Sequence, residues 1–156
     1  GPIELHAGNT GTEVHDNLVR SHSLAGSWAG GVLETKIWNN IVISKADSIA
    51  ACVNKRQDLN SAVAYMDYNL YDAPPVYDFG EYTDNRRRLS LDEMRSEGFE
   101  KHSQVVSSPS DIFEDEESYR LLSRWNTAGR DGTAPGPDDI ASTLDLRRYG
   151  PSADRP

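Results

Sequence analysis

The stretch Ser61-Ala-Val-Ala-Tyr-Met-Asp-Tyr-Asn-Leu-Tyr71 decides the predicted fold, because its side chains alternate between two faces. One face is wholly apolar or aromatic and consists of Ala62, Ala64, Met66, Tyr68 and Leu70. The other face carries the polar groups and consists of Val63, Tyr65, Asp67, Asn69 and Tyr71. A period of two is typical of a half-buried β-strand. We therefore predict one strand over residues 61–71.

Three shorter runs upstream have the β-branched and aromatic composition of strands, namely Val32–Trp38, Ile41–Ser44 and Ile49–Val53. Because asparagine tolerates positive φ, the pair Asn39-Asn40 predicts a tight turn between antiparallel strands. Short runs separated by turn signals favour a meander of such strands. The alternative is a short helix over residues 44–56, whose apolar side chains also share one helical face.

Beyond residue 85 the pattern becomes helical. Ser90 followed by Glu93 is a capping box, and Gly98 suits the end of a short helix. A second helix is predicted from Asp111 to Trp125, with Ser110 as its cap. Acidic residues crowd its first turns and arginines its last turns, as the helix dipole favours.

These elements together predict an α+β fold. An antiparallel β-meander in the N-terminal half is packed by two or three short helices from the C-terminal half. Gly1-Pro2 resembles the remnant of a protease-cleaved tag, and residues 3–126 form a single domain. Residues 127–156 are rich in glycine and proline, which predicts a flexible linker and tail with one weak helix over 138–148. We detect no internal repeat.

The composition narrows the classes of function. The chain has 156 residues and a formal net charge of -9. This charge argues against nucleic-acid binding and against an anionic membrane surface. No apolar stretch reaches the length of a membrane span. Cys52 is the only cysteine, so no intrachain disulfide forms, and its apolar surroundings predict an inert thiol. The compartment stays open, with the cytoplasm favoured.

The segment Pro74-Pro75-Val76-Tyr77 resembles the PPxY ligands of WW domains. Adjacent prolines favour polyproline II, which docks in aromatic grooves, and the tyrosine would enter a second pocket. The resemblance covers four residues and implies a WW-type protein partner. The alternative is that the prolines end the preceding strand and that Tyr77 packs inward.

A second short motif is Arg86-Arg87-Arg88-Leu89-Ser90, which resembles a substrate site of a basophilic kinase. Phosphate added to Ser90 would reorganise the start of the helix. The alternative is that Ser90 acts only as the helix cap. The acidic run 114–117, on the helix that ends near Trp125, would bind a basic partner or form a solvated helix face.

Together these motifs predict a non-enzymatic protein-interaction domain with a protein partner, either a WW-type domain or a basic surface. Its partner-binding residues are Pro74, Pro75, Tyr77 and Trp125, and Ser90 is its modification site. No catalytic residue, metal or cofactor is predicted. One alternative is a small β-rich ligand-binding domain or an enzymatic secreted effector, which a concave pocket holding two or more of His6, His15, His22 and Glu34 would favour. A further alternative is an acidic inhibitor or immunity-type protein.

Overall fold

The structure is a computed structural model, and it describes residues 3–6, 8–27, 32–44 and 46–138. In chain order the strands of these residues are β1 (Ile3–Glu4), β2 (Glu13–His15), β3 (Leu18–Arg20), β4 (Ser23–Ser27), β5 (Thr35–Trp38), β6 (Ile41–Ile43), β7 (Ile49–Asn54), β8 (Val63–Asp67), β9 (Leu70–Tyr71), β10 (Pro75–Phe79), β11 (Arg87–Ser90), β12 (Gln104–Val105), β13 (Phe113–Asp115) and β14 (Arg120–Leu121). The α-helices are α1 (Leu59–Ala62) and α2 (Leu91–Ser96), and 3₁₀ turns cover Pro109–Asp111, Ser123–Trp125 and Arg130–Gly132.

The first ten strands form stacked coils. Sheet 1 has the strand order β1-β4-β7-β10-β11, sheet 2 the order β2-β5-β8, and sheet 3 the order β12-β9-β6-β3. The first coil is therefore β2, β3 and β4, the second β5, β6 and β7, and the third β8, β9 and β10. All pairings between these coils are parallel. The architecture is a short parallel β-helix.

The predicted α+β fold, an antiparallel meander packed by helices, is wrong, because the described residues are mostly β with two short α-helices and their sheets are mostly parallel. The strands around Asn39-Asn40 exist, but this pair turns the chain from sheet 2 into sheet 3 and not back along one sheet. Asn39 does adopt positive φ, at 55°. Local turn chemistry located the corner correctly, whereas the choice of pairing partner depends on residues far away in sequence. The repeat also escaped detection because the equivalent corners are spaced unequally, 23 and then 29 residues apart.

The single strand predicted over residues 61–71 is divided in the structure, where β8 and β9 cover only parts of it. Its first residues belong to α1, whose cap is Asp58. The strand β8 then ends at a corner, where Tyr68 has a φ of 57° and the chain enters β9 in sheet 3. Over residues 44–56 the strand interpretation is confirmed by β7, and the helical alternative is wrong.

The helix predicted after residue 90 is confirmed as α2. Ser90 Oγ accepts from the Glu93 N–H at 3.2 Å, and Glu93 Oε2 accepts from the Ser90 N–H at 2.7 Å. Gly98 lies just beyond the helix with a φ of 99°. The larger of the two hydrophobic clusters lies among the coils, and we call it the main core. Met94 of α2 is buried in it, so this helix closes one end of the coils.

The helix predicted from Asp111 to Trp125 is wrong. The segment instead forms the antiparallel pair β13–β14 between two 3₁₀ turns. Its apolar side chains lie in a second hydrophobic cluster on sheet 3, which contains Ile41, Ile43, Leu70, Ile112, Phe113 and Tyr119. Tertiary packing on this sheet outweighs the favourable charge pattern of the helix, which is a weak local preference. Ser108, not Ser110, precedes the first of the 3₁₀ turns.

The described part of the predicted linker contacts the coils. The Arg130 N–H donates to Asn39 Oδ1 at 2.6 Å, and the Gly136 N–H donates to the Asn39 carbonyl at 2.7 Å. Residues 130–136 therefore lie against the corner between β5 and β6. Gly1-Pro2 and, beyond Asp138, the weak helix over 138–148 lie outside the described residues.

A row of asparagine side chains joins the coils at this corner. Asn17 Nδ2 donates to Asn40 Oδ1 at 3.0 Å, and Asn40 Nδ2 donates to Asn69 Oδ1 at 3.0 Å. Asn69 Nδ2 then donates to Glu100 Oε1 at 2.8 Å. We call these four residues the amide ladder. Each asparagine follows a residue with positive φ, so the ladder marks the same corner in every coil.

Substitution Asn40→Ala tests the ladder. Asn40 Nδ2 also donates to the carbonyls of Val14 and Trp38, so alanine removes these two hydrogen bonds together with both ladder contacts of Asn40. We expect the free energy of unfolding to fall by about 3–5 kcal/mol, measured by urea denaturation. Asn126→Ala, at an exposed asparagine, is the control and should change it by about 0.5 kcal/mol or less. Equal losses in the two variants would contradict this role for the ladder.

Candidate functional site

The outer surface of sheet 2 brings together side chains from all three coils. Strand pairing aligns Glu13, Lys36 and Tyr65 in one row across the coils. It aligns His15, Trp38 and Asp67 in the next row. Val14, between the two rows on β2, is buried in the main core, so both rows point outward. The fixed spacing of strands, about 4.8 Å, sets the distance between neighbouring members of a row.

Aromatic rings stack along this surface. The His15 and Trp38 rings are parallel, with centroids 4.3 Å apart, and Tyr65 meets Trp38 edge to face at 6.2 Å. The guanidinium of Arg130 lies 5.1 Å from the Trp38 ring and 4.9 Å from the Tyr65 ring. Such cation–π contacts hold the arginine and the rings in place. All four side chains remain partly or largely exposed.

Two imidazole–carboxylate pairs flank the stack. Asp67 Oδ2 lies 2.7 Å from His102 Nδ1, and its Oδ1 accepts from the His102 N–H at 2.6 Å. The His102 ring also stacks on Tyr68 at 4.6 Å. The second pair is His15 Nδ1 with Asp16 Oδ2, at 2.7 Å. A carboxylate on Nδ1 fixes the orientation of an imidazole.

In both pairs the Nε2 atom of the imidazole is left to form hydrogen bonds with solvent or a ligand. Within the described part of the chain, neither His15 Nε2 nor His102 Nε2 has a hydrogen-bond partner. The His102 side chain is 58% exposed and that of His15 is 39% exposed. We call the whole set the aromatic face, and it consists of His15, Trp38, Tyr65, Asp67, Tyr68, His102 and Arg130. It offers ring surface and oriented nitrogen atoms to a ligand.

The residues predicted as sites lie apart from this face. Pro74 is exposed, but Pro75 and Tyr77 are buried in β10 of sheet 1, and Tyr77 is 0% exposed. Ser90 is exposed at the start of α2 and pairs with Val76 across β10 and β11. The structure thus places the two short motifs on neighbouring strands. It leaves the tyrosine of the PPxY segment facing the core.

Trp125 lies over a different sheet, against the cluster on sheet 3. Its Nε1 donates to the Asp111 carbonyl at 2.8 Å, and Arg124 stacks on its ring at 4.9 Å. The acidic run 114–117 is exposed at the β13–β14 hairpin. Glu114 forms an ion pair with Arg120 at 2.7 Å. The tryptophan is thus partly used in packing.

Of the histidines singled out in the sequence, His22 lines a cavity without His6 or His15 among the described residues around it. A cavity of about 660 Å³ is lined by Arg20, Ser21, His22, Ile43 and Ala46, and it contains only one of the four residues of the pocket alternative. In the described ranges, no three His, Cys, Asp or Glu side chains are grouped to hold a metal ion. Cys52 is buried, and burial raises the pKa of its thiol to about 12, as an inert thiol requires.

Sequence reasoning missed Trp38, Tyr65, Asp67 and His102 as members of one surface. Trp38 and Asp67 are 29 residues apart in sequence yet are paired directly across β5 and β8. The available signal was the polar face of residues 61–71, which already separated Tyr65 and Asp67 from the core. Without the parallel register, nothing in the sequence placed His15 or Trp38 beside them.

A fully buried carboxylate lies at the closed end of the coils. Glu100 Oε2 accepts from Tyr77 at 2.5 Å and from Tyr71 at 2.9 Å, while Oε1 accepts from Asn69 and Ser103, each at 2.8 Å. Every one of these neighbours donates, which suits a carboxylate. Burial nevertheless raises the pKa of Glu100 above its ordinary value, and the hydrogen bonds oppose the shift. Because Glu100 is 0% exposed, we assign it a structural role.

Comparisons with known proteins find no match among models of protein families, curated proteins or solved structures. None of the helices within the described ranges has the length and apolar character needed to cross a lipid bilayer.

The pH dependence of stability tests the buried state of Glu100. Folding raises the pKa of Glu100 above its ordinary value of 4.5. At pH values between the ordinary and the raised pKa, the folded protein binds this proton more tightly than the unfolded chain does. Stability is therefore lost as the pH rises through this window. The variant Glu100→Gln keeps hydrogen-bonding atoms but does not titrate. We expect the wild type to lose stability relative to this variant from pH 4 to pH 8 in urea denaturation, and a difference that stays constant or shifts toward the wild type would contradict the burial effect.

Proposed function

We propose that this chain is a ligand-binding domain of the parallel β-helix type, and that its aromatic face holds an uncharged, hydroxyl-rich chain such as an oligosaccharide. The observation that carries the proposal is the gathering, on one rigid surface, of partly exposed aromatic rings from three coils and two oriented imidazoles. This proposal develops the β-rich ligand-binding alternative.

The chemistry of the face suits hydroxyl groups. A hydroxyl both donates and accepts, so it can bind to either protonation form of the Nε2 atoms of His15 and His102. Binding sites typically combine apolar ring surface with a few placed polar groups, and Trp38 and Tyr65 supply that ring surface here. The C–H groups of a sugar ring would pack on the rings while its hydroxyls reach the imidazoles.

The shape of the face suits an elongated ligand. His15 and Asp67 belong to the first and third coils, so two strand spacings, about 10 Å, separate them. Several units of a linear chain could contact such a surface at once. Strands hold side chains more precisely than loops do, which limits the entropy lost on binding.

The charges favour an uncharged ligand. The chain carries a net charge of -9, which repels polyanions. The carboxylates at the face are already engaged: Asp67 with His102, Asp16 with His15, and Glu13 with Lys36 at 3.3 Å. A polycation would have to compete with these existing partners.

The protein-interaction hypothesis based on Pro74–Tyr77 remains a proposal that this geometry does not favour. Docking of the PPxY segment would require Tyr77 to leave the core and to give up its hydrogen bond to Glu100. The segment would also have to leave the pairings of β10 with β7 and β11.

Titration with cellohexaose tests the proposed function by isothermal calorimetry. We expect binding to the full chain and a loss of about tenfold in affinity for Trp38→Ala, because an aromatic contact contributes up to about 1.5 kcal/mol. Tyr82→Ala is the matched control. Tyr82 is 58% exposed and lies outside the aromatic face, so its loss should leave the affinity unchanged.

Circular dichroism of both variants separates misfolding from loss of contact. The proposal fails if Trp38→Ala binds as tightly as the wild type. It also fails if the chain ignores cellohexaose and chitohexaose but binds oligogalacturonate, an anionic chain of similar length.

A further inference from the structure

One end of the coils is closed and the other is open. The closed end carries α2 and Glu100, with β11 and β12 added beyond the third coil in sheets 1 and 3. At the other end β1, β2 and β3 are the edge strands of their three sheets. In the described ranges nothing pairs with their outer sides.

The open end contains an incomplete coil. β1 stacks on β4 in parallel register, so it occupies the sheet 1 position of a coil that precedes the first. The equivalent positions in sheets 2 and 3, above β2 and β3, are unfilled among the described residues. Two short strands would complete this coil.

The free side of β2 follows from its hydrogen bonds. The Lys36 N–H donates to the Thr12 carbonyl, and the Asp16 N–H donates to the Trp38 carbonyl. In a parallel sheet the backbone N–H and C=O of one residue point toward one neighbouring strand, and those of the next residue point toward the other neighbouring strand. Thr12 and Asp16 face β5, and therefore the backbone groups of Glu13 and His15 face the open end.

The same reasoning applies to β3. The Ile41 N–H donates to the Asn17 carbonyl, and the Ser21 N–H donates to the Ile43 carbonyl. The backbone groups of Leu18 and Arg20 therefore face the open end. Exposed edges of this kind are templates for strand addition.

The amide ladder gives the open end a polarity. Each asparagine passes its Nδ2 donor toward the closed end, as Asn17 does to Asn40. The acceptor Oδ1 of Asn17 has no hydrogen-bond donor within the described residues. The open end therefore offers an acceptor and calls for a side-chain amide donor.

This polarity excludes a second copy of the chain as the partner. Two copies meeting at their open ends would bring two acceptor oxygens together. The closed end offers no amide donor either, because Asn69 Nδ2 already binds Glu100 Oε1 at 2.8 Å. The surface that complements the open end is therefore a coil with an asparagine whose Nδ2 donor has no partner.

We propose that this open edge binds a strand–asparagine corner–strand segment of another polypeptide, which runs parallel to β2 and β3 and completes the coil that β1 begins. The segment would pair with the backbone groups of Glu13, His15, Leu18 and Arg20. Its asparagine would donate to Asn17 Oδ1 and extend the ladder by one residue.

A synthetic peptide with the sequence Thr12–Arg20 is the probe, because it contains both strands and the Asp-Asn corner. NMR hydrogen exchange on the full chain should show slower exchange at the amides of Glu13, His15, Leu18 and Arg20 when the peptide is added. A peptide with alanine in place of its asparagine should bind about tenfold more weakly, since one hydrogen bond is lost.

A matched pair of variants tests the edge itself. Glu13→Pro removes one free-edge N–H, while Glu13→Ala loses the same side chain and keeps the N–H. We expect Glu13→Pro to weaken peptide binding at least fivefold relative to Glu13→Ala, with similar thermal unfolding of the two variants.

Three results would overturn the proposal: no protection at these four amides, equal binding of the two peptides, or protection that appears with increasing protein concentration alone. The last result would mean that copies of the chain associate through this edge. Because none of these measurements uses a sugar, their failure is independent of the proposed function.

Discussion

The structure depends on keeping a row of side-chain amides paired at the corner between sheets 2 and 3. The chain turns there through Asp16, Asn39 and Tyr68, all non-glycine residues with positive φ, a conformation that costs roughly 1–2 kcal/mol per residue. The asparagine after each of the first two pairs with the corresponding asparagine of the next coil, and Asn69, after Tyr68, pairs with Glu100. This pairing offsets the strain of the corners and fixes how the coils align.

The alignment at the corner determines what the outer surfaces present. Because Trp38 pairs with His15 on one side and with Asp67 on the other, these three residues fall into one row on sheet 2. A slip of one residue would exchange inward and outward side chains. The outer surface of sheet 3 is not accessible in the same way, because residues 106–125 cover its apolar side chains. The same framework thus produces one sealed surface and one accessible surface.

The sequence revealed local features and concealed long-range ones. The capping box of Ser90 and Glu93, the strand chemistry of residues 49–53 and the turn at Asn39 were all readable, because each depends on neighbouring residues. The parallel register was not readable, since corners spaced 23 and 29 residues apart hide the repeat. The charge pattern of residues 111–125 favoured a helix, whereas in the structure the apolar side chains of this segment, Ile112 and Phe113 among them, pack in the cluster on sheet 3. For the same reason the aromatic face could not be predicted, because its residues come from different coils and only the parallel register brings them together.

The carboxylate of Glu100 has a consequence for the architecture as a whole. An asparagine donates and accepts, so a column of asparagines can continue without limit, whereas a carboxylate surrounded by donors can only accept. Placing Glu100 after Asn69 therefore terminates the column chemically as well as sterically. The molecule has a built-in direction, with one face that ends a solenoid and one that could continue it.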